Sequence, residues 1–143
     1  MIQGVGHNMN AIKTIAFICT HNSCRSIMAE GFLKHYAGNR FLVFSAGTKK
    51  YPAPKPLAIE VMTDLNISMS HARSKLLNEL PSRVDVLITM GCGVECPHVP
   101  TTFREDWGLE DPSGGPKSDY EITRDLIKEK VLELIYRIEN GKL

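Results

Sequence analysis

The order of apolar runs along the chain predicts an α/β fold, a four-stranded parallel sheet between layers of helix, as one domain over residues 11–143. Three observations carry this expectation. Short apolar strands alternate with stretches of helical periodicity, the pattern of a parallel sheet whose right-handed crossovers cover both faces. At 143 residues the chain has the size of a single domain. Its four cysteines fall into two distant clusters, each just behind a predicted strand, where ligands of such folds collect.

The elements follow in order. Residues Met1 to Asn10 carry neither a basic n-region nor an apolar h-region and read as a short tail, not a signal peptide. Lys13 to Ile18 is a short apolar run ending at Cys19, a buried strand. From Ser23 to Tyr36, Ile27, Met28, Phe32 and Leu33 keep helical spacing, with Gly38 as the stop. Phe41 to Phe44 is a second strand, closed by Ser45, Ala46 and Gly47. The proline-rich stretch Tyr51 to Pro56 is a loop whose last proline opens a helix to about Leu65. A short helix is expected over Arg73 to Leu80, a strand over Val84 to Met90, and a short strand over Thr101 to Arg104. Glu121 to Glu139 places Ile122, Leu126, Ile127, Val131, Leu134, Ile135 and Ile138 at spacings of three and four, an amphipathic closing helix.

Seventeen Lys plus Arg against sixteen Asp plus Glu leave a net charge of +1, which argues against gripping nucleic acid or an anionic membrane through overall charge. No apolar run approaches the ~20 residues of a membrane helix. With no export signal and enough chain for a core, Cys19, Cys24, Cys92 and Cys96 do not read as a disulfide framework. Clustered cysteines in a cytoplasmic chain are more often catalytic, redox-active or metal-binding, so function is sought there.

The loop Cys19, Thr20, His21, Asn22, Ser23, Cys24, Arg25 separates a cysteine from an arginine by five residues, between a strand and a helix. Successive backbone N–H groups turned inward there form an anion nest at the positive end of a helix. Arg25 adds a planar two-pronged donor suited to a tetrahedral oxyanion. The same field favours the thiolate of Cys19. The pattern of a nucleotide-binding P-loop is missing.

Residues Phe17 to Gly31, FICTHNSCRSIMAEG, together with Ser45-Ala46-Gly47, Cys96-Pro97 and Asp111-Pro112, resemble the low-molecular-weight tyrosine phosphatase superfamily, and within it the thioredoxin-coupled arsenate reductases. The resemblance runs from about Lys13 to Ile138. It implies a flavodoxin-like three-layer sandwich. It implies Cys19 as nucleophile, Arg25 as oxyanion clamp, Asn22 as a brace for the loop, and Ser26 as the donor that keeps Cys19 ionised. Asp111, fixed by Pro112, would protonate the leaving oxygen.

Arsenate and phosphate have nearly the same shape and charge, so the Cys19 loop does not separate a reductase from a phosphatase; the second cysteine cluster does. Cys92 and Cys96 stand four residues apart in a segment containing Gly91 and Gly93, and one helical turn brings such positions to roughly 6 Å, within disulfide range. The resemblance then implies a relay from Cys19 to Cys92 to Cys96, reset by an external dithiol such as thioredoxin, with no cofactor bound to the chain. Only three residues separate Cys92 from Cys96, fewer than in the better-known thioredoxin-coupled members, so a mycothiol or glutaredoxin route stays open. Zinc held by Cys92, Cys96 and His98 with a distant fourth ligand, or plain structural packing, are the competing readings. Cys24 suits either a protective disulfide with Cys19 or a small filler at the helix start.

Some of the resembled reductases hold potassium beside the loop through Asn, Glu, Ser and Asp. The matching positions here are Asn22, Glu30, Ser45 and, in place of the aspartate, Lys75, whose ammonium is expected to substitute for the ion. The expected activity is a monomeric arsenate reductase for which phosphate and sulfate compete. A tyrosine phosphatase using the same residues, weakened by Ser113-Gly114-Gly115 where such enzymes carry aromatics, and a thiol-based oxyanion or metal sensor are the alternatives.

Overall fold

The computed structural model describes residues 12–49, 52–91 and 99–143. Four strands form one parallel sheet: β1 (Thr14–Cys19), β2 (Leu42–Gly47), β3 (Val84–Thr89) and β4 (Thr101–Asp106), in the order β2-β1-β3-β4. From β1 the chain steps to one side and then returns to the other, so the order reverses between β1 and β3. In open parallel sheets the crevice beyond that reversal is where ligands bind. Cys19 ends β1 at that crevice and pairs in register with Gly47 of β2.

Side chains alternate across the sheet. Ile15, Phe17 and Cys19 face the larger core, built with α1 (Arg25–Ala37), α2 (Pro56–Thr63) and α3 (Lys117–Glu139). Ala16 and Ile18 face a thinner layer, where Ala46, Val84 and Leu87 pack under Leu77, Leu80 and Val99. Every residue from Ile15 to Ile18 is fully buried, which explains why β1 reads as a continuous apolar run and not an alternating one. Fully buried Phe17 and Phe32 contribute roughly 1.5–3 kcal/mol each by area alone.

α1 packs against β1, β2 and α3, and all its residues from Arg25 to Leu33 are buried. Three of them, Arg25, Ser26 and Glu30, are polar or charged, and burial forces each to find partners inside the protein. Those partners make the site.

The structure corrects the expected helix over Arg73 to Leu80. Leu76 is extended and bridges Gly47, and only Leu77–Glu79 makes a single 3-10 turn. The end of β2 presents the Gly47 N–H, which the Lys75 carbonyl accepts at 2.8 Å. Pairing with the sheet edge outweighs the weak local helical preference of so short a segment. The closing helix starts at Lys117, behind Pro116 and with Asp119 in its first turn, four residues before the expected Glu121. Among the described residues no helix is long and apolar enough to cross a membrane. The N-terminal tail, Cys92, Cys96 and His98 lie outside the described residues.

Candidate active site

The loop from Cys19 to Arg25 turns its carbonyls outward because its surroundings claim them. The Cys19 carbonyl accepts from Thr48 N at 3.3 Å, Thr20 from Lys49 N at 2.8 Å, and Ser23 from Lys55 N at 2.7 Å. The Cys24 carbonyl accepts the first helical bond, from Met28 N at 3.0 Å, and the Asn22 carbonyl accepts from Ser74 Oγ at 2.9 Å. In a planar trans peptide the N–H points opposite to the C=O. The N–H groups that follow, at Thr20, His21, Ser23, Cys24 and Arg25, therefore turn the other way, onto a common concave side. Inward-facing N–H groups of this kind are the donors an anion nest requires.

The nest opens onto the N-terminus of α1, whose cap, Cys24, makes no side-chain capping bond and whose first turn holds no acid. Its orphan N–H groups and the helix dipole add to the positive potential. Gly47 supplies the floor. A Cβ there would sit 2.7 Å from Asn22 N and from the His21 carbonyl carbon, and 2.8 Å from Thr20 O, so only glycine lets the loop lie this close to β2. Asn22 itself holds a left-handed conformation at φ 52°.

Buried Ser26 stands 2.8 Å from Cys19 Sγ and accepts a 2.8 Å hydrogen bond from Asn22 Nδ2. Asn22 Oδ1 in turn accepts from Lys75 N at 2.8 Å. The expected brace, Asn22 to Ser26 to Cys19, is continuous, and the 74–75 segment anchors it.

Arg25 is buried and split in function. Its Nη1 donates to Met90 O at 2.6 Å and to Leu109 O at 2.7 Å, at the carboxyl ends of β3 and β4. Its Nη2 lies 3.8 Å from Asp111 Oδ2, and its buried Nε has no hydrogen-bond partner among the described residues. One edge of the guanidinium is thus fixed to the sheet. The other, Nε with Nη2, is left as a fork for two oxygens of a tetrahedral anion.

Asp111 faces that fork, with its side chain 42% exposed. Partial burial alone would raise its carboxyl, but hydrogen bonds from Ser113, with Arg25 and His21 nearby, outweigh it and hold Asp111 below the usual carboxylate range. Asp111 is therefore ionised in the free site at neutral pH. Cys24 is buried beside Cys19 and behaves differently: desolvation, with Asp111 and Cys19 adding to it, pushes its thiol far up, so it stays protonated. Its place under the loop fits the filler reading.

The four positions matched to a cation site do come together. Ser45 Oγ donates to Glu30 Oε1 at 2.6 Å, and Lys75 Nζ lies 3.7 Å from the same oxygen. Lys75 reaches Asn22 through its backbone N–H, however, while its ammonium donates to Arg73 O at 2.7 Å. Lys34 Nζ is 3.2 Å from Glu30 Oε2, and His71 Nε2 is 3.8 Å from Oε1. Burial pushes Lys75 and His71 down from their ordinary ranges while Glu30 pulls both up. With two lysines already facing the one carboxylate, this donor set does not fit an added metal cation.

Gly47, Ser74, Asp106 and the carbonyls of Met90 and Leu109 belong to the site but escape a reading of the chain. Asp106 Oδ1 accepts from Thr89 Oγ1 at 2.5 Å and from Gly91 N at 2.8 Å, tying the end of β3 to the end of β4. Gly91, at φ 95°, packs so close to Leu109 that a Cβ would meet its backbone at 3.1 Å. Gly47 had a visible signal, a glycine ending a strand beside a tight loop. The carbonyls had none.

A model of the low molecular weight phosphotyrosine protein phosphatase family matches residues 14–142. The chain is 38% identical over 130 residues to arsenate reductase 1 of Staphylococcus epidermidis, covering 88% of this chain and 98% of that one. It is 40% identical over 135 residues to the arsenate reductase of Staphylococcus xylosus, covering 92% and 97%. Among solved structures, an arsenate reductase in its phosphate-binding state superposes with a TM-score of 0.81 at 37% identity, covering 88% and 98%. A thioredoxin-dependent arsenate reductase of Corynebacterium glutamicum superposes at 0.78 and 30% identity, covering 96% of this chain and 67% of that one.

Proposed function

The chain belongs to the low molecular weight phosphotyrosine protein phosphatase family, and we propose that within it this site reduces arsenate to arsenite, as the similar proteins of Staphylococcus are named for doing. Oxyanion binding is carried by the half-used guanidinium of Arg25 beside Cys19, and the choice of arsenate by the identity with those reductases together with Cys92 and Cys96. Arsenate fills the nest. The Cys19 sulfur attacks arsenic and forms an S–As bond, and one arsenate oxygen departs as water. Asp111, ionised at rest, takes up a proton once the dianion lies beside it and delivers it to that oxygen.

The electrons come from thiols. Cys92 attacks the Cys19 sulfur, and the S–As electron pair stays on arsenic. Arsenic(V) becomes arsenic(III), arsenite leaves, and a Cys19–Cys92 disulfide forms. Cys96 then attacks Cys92, freeing Cys19 as a thiol and leaving Cys92–Cys96, which an external dithiol, thioredoxin, reduces. Support comes from where this segment is rooted: the Met90 carbonyl touches Arg25 at 2.6 Å. Cys92 follows Met90 by two residues, and two residues span at most about 7 Å. In this reading the enzyme is a cytoplasmic monomer with no bound cofactor.

With arsenate, thioredoxin, thioredoxin reductase and NADPH, the protein is expected to consume NADPH in proportion to arsenate, and Cys92→Ser to abolish steady turnover. Arsenate-dependent oxidation that survives Cys92→Ser would overturn the relay. Asp111 opposite Arg25 favours a second reading, phosphatase chemistry through the same nucleophile. Rapid aryl phosphate hydrolysis without any response to arsenate would establish it instead.

Lys75 takes the place of a bound cation in this scheme, its ammonium supplying the charge beside Glu30. Exchanging sodium for potassium at fixed ionic strength should leave turnover unchanged. A several-fold potassium stimulation would defeat the assignment.

A further inference from the structure

The anchors of the oxyanion loop are not equivalent. The carbonyls of Cys19, Thr20, Ser23 and Cys24 are each held by a backbone N–H, from Thr48, Lys49, Lys55 and Met28. The Asn22 carbonyl is held by a side chain, the Ser74 hydroxyl at 2.9 Å. It belongs to the residue that takes a left-handed conformation without being glycine, φ 52°. The direction of the Asn22–Ser23 peptide is therefore set by a side-chain hydroxyl, where its neighbours in the loop are set by backbone donors. Rotation would swing a carbonyl oxygen in and carry the Ser23 N–H out.

We propose that Ser74 is a positioning residue of the oxyanion site: its hydroxyl latches the Asn22 carbonyl outward and so keeps the Ser23 N–H as a donor to the bound anion. The proposal rests on the reading of the loop as an anion-binding nest. The Asn22 side chain does not do this work alone. Lys75 N holds its Oδ1 and Ser26 receives its Nδ2, and both bonds fix the side chain of Asn22, not the peptide that follows it. Ser74 does not line the reacting side, because its hydroxyl meets the face of the peptide opposite the Ser23 N–H. It is partly buried and lies next to Lys75, whose carbonyl is itself bonded to Gly47 N at 2.8 Å, so the latch is mounted on the sheet and not on a free loop.

The test is phosphate binding to the reduced, full-length protein, by calorimetry and by the backbone amide signal of Ser23 in a proton–nitrogen correlation spectrum. In the wild type, phosphate should bind and shift the Ser23 amide strongly downfield. Ser74→Ala should weaken phosphate binding about tenfold, the cost of replacing one donor to a charged ligand by a misdirected carbonyl, and should abolish the Ser23 shift while the Arg25 amide still responds. Ser74→Thr keeps the hydroxyl and should restore both. A purely structural serine would change the melting temperature without singling out the Ser23 signal. An unaltered phosphate affinity in Ser74→Ala, or a wild-type Ser23 amide indifferent to phosphate, overturns the latch while leaving the nest intact. Failure of the wild type to bind phosphate at all would remove the nest reading, and the latch with it.

Discussion

Two loops face each other across the candidate site and are built on opposite plans. The loop at the end of β1, residues 19–25, is saturated from behind: Gly47 presses against its backbone, five of its carbonyls are held by neighbours, and Asn22 ties it to Ser26 and to the 74–75 segment. The loop at the end of β4 is rigid only at its root. There Glu105 accepts from both terminal Arg137 nitrogens at 2.9 Å and from Trp107 Nε1 at 2.8 Å, and Trp107 packs 5.7 Å from Phe17, centroid to centroid. Beyond Leu109, Asp111 is half-exposed, capped by Ser113 and a loose 3.8 Å from Arg25. Donors that must match a developing charge cost least when fixed in advance. A group that has to exchange a proton with whatever leaves gains from latitude. In the proposed mechanism the difference separates the half that binds the anion from the half that would transfer the proton.

The largest expected break of this contrast is Gly47→Ala. One methyl placed 2.7 Å from the loop backbone must push it off β2, costing about 1–3 kcal/mol of stability. Phosphate affinity should fall about a hundredfold, since a shift near 1 Å in a positioned site has that scale. Calorimetric binding near wild type would show that the nest is not held from below. Asp111→Asn probes the other half and should split its effects. Aryl phosphate cleavage falls about a hundredfold through loss of the acid, while phosphate binds about threefold tighter because a carboxylate no longer competes for Arg25. Weaker binding would mean that the acid loop belongs to the rigid frame after all.

The smallest effect tests the root. Hydrogen bonds from Arg137, with Trp107 adding to them, outweigh burial and hold the Glu105 carboxyl below its usual range. A depressed native value means the ionised form is the stabilising one. Arg137→Met should therefore cost about 1 kcal/mol at neutral pH, a loss present in full above Glu105's unfolded pKa of ~4.3 and shrinking as pH falls through its lower native value. Urea melts at pH 7 and pH 3 that show the same deficit would assign Arg137 to packing and not to charge.

Much of this architecture is legible in the chain because it is local. The run from Lys13 to Ile18 reads as a buried strand and is one, Gly38 stops α1 with φ 60°, and Cys19 and Arg25 stand between strand and helix as the loop pattern requires. The segment after Arg73 misleads for the same reason. Its helical pattern is weak and local, while the Gly47 N–H that recruits Lys75 lies across the sheet edge. Lys75 was legible as the cationic neighbour of Glu30, yet the contact that steadies Asn22 is its backbone, which residue identity does not encode.

The amino-acid order alone determined the strand–helix alternation, the placing of Cys19 and Arg25 on one loop, and the thiols on which the proposed chemistry rests. Only the tertiary structure decided that Arg25 spends one nitrogen on the Met90 and Leu109 carbonyls and keeps a fork free, that Gly47 lies against the loop backbone, and that the Ser74 hydroxyl meets the Asn22 carbonyl. The reason is physical. Spacing along a chain sets which side chains a helix or strand can present, whereas the direction of a carbonyl and the closeness of two backbones are settled by packing between segments far apart in sequence.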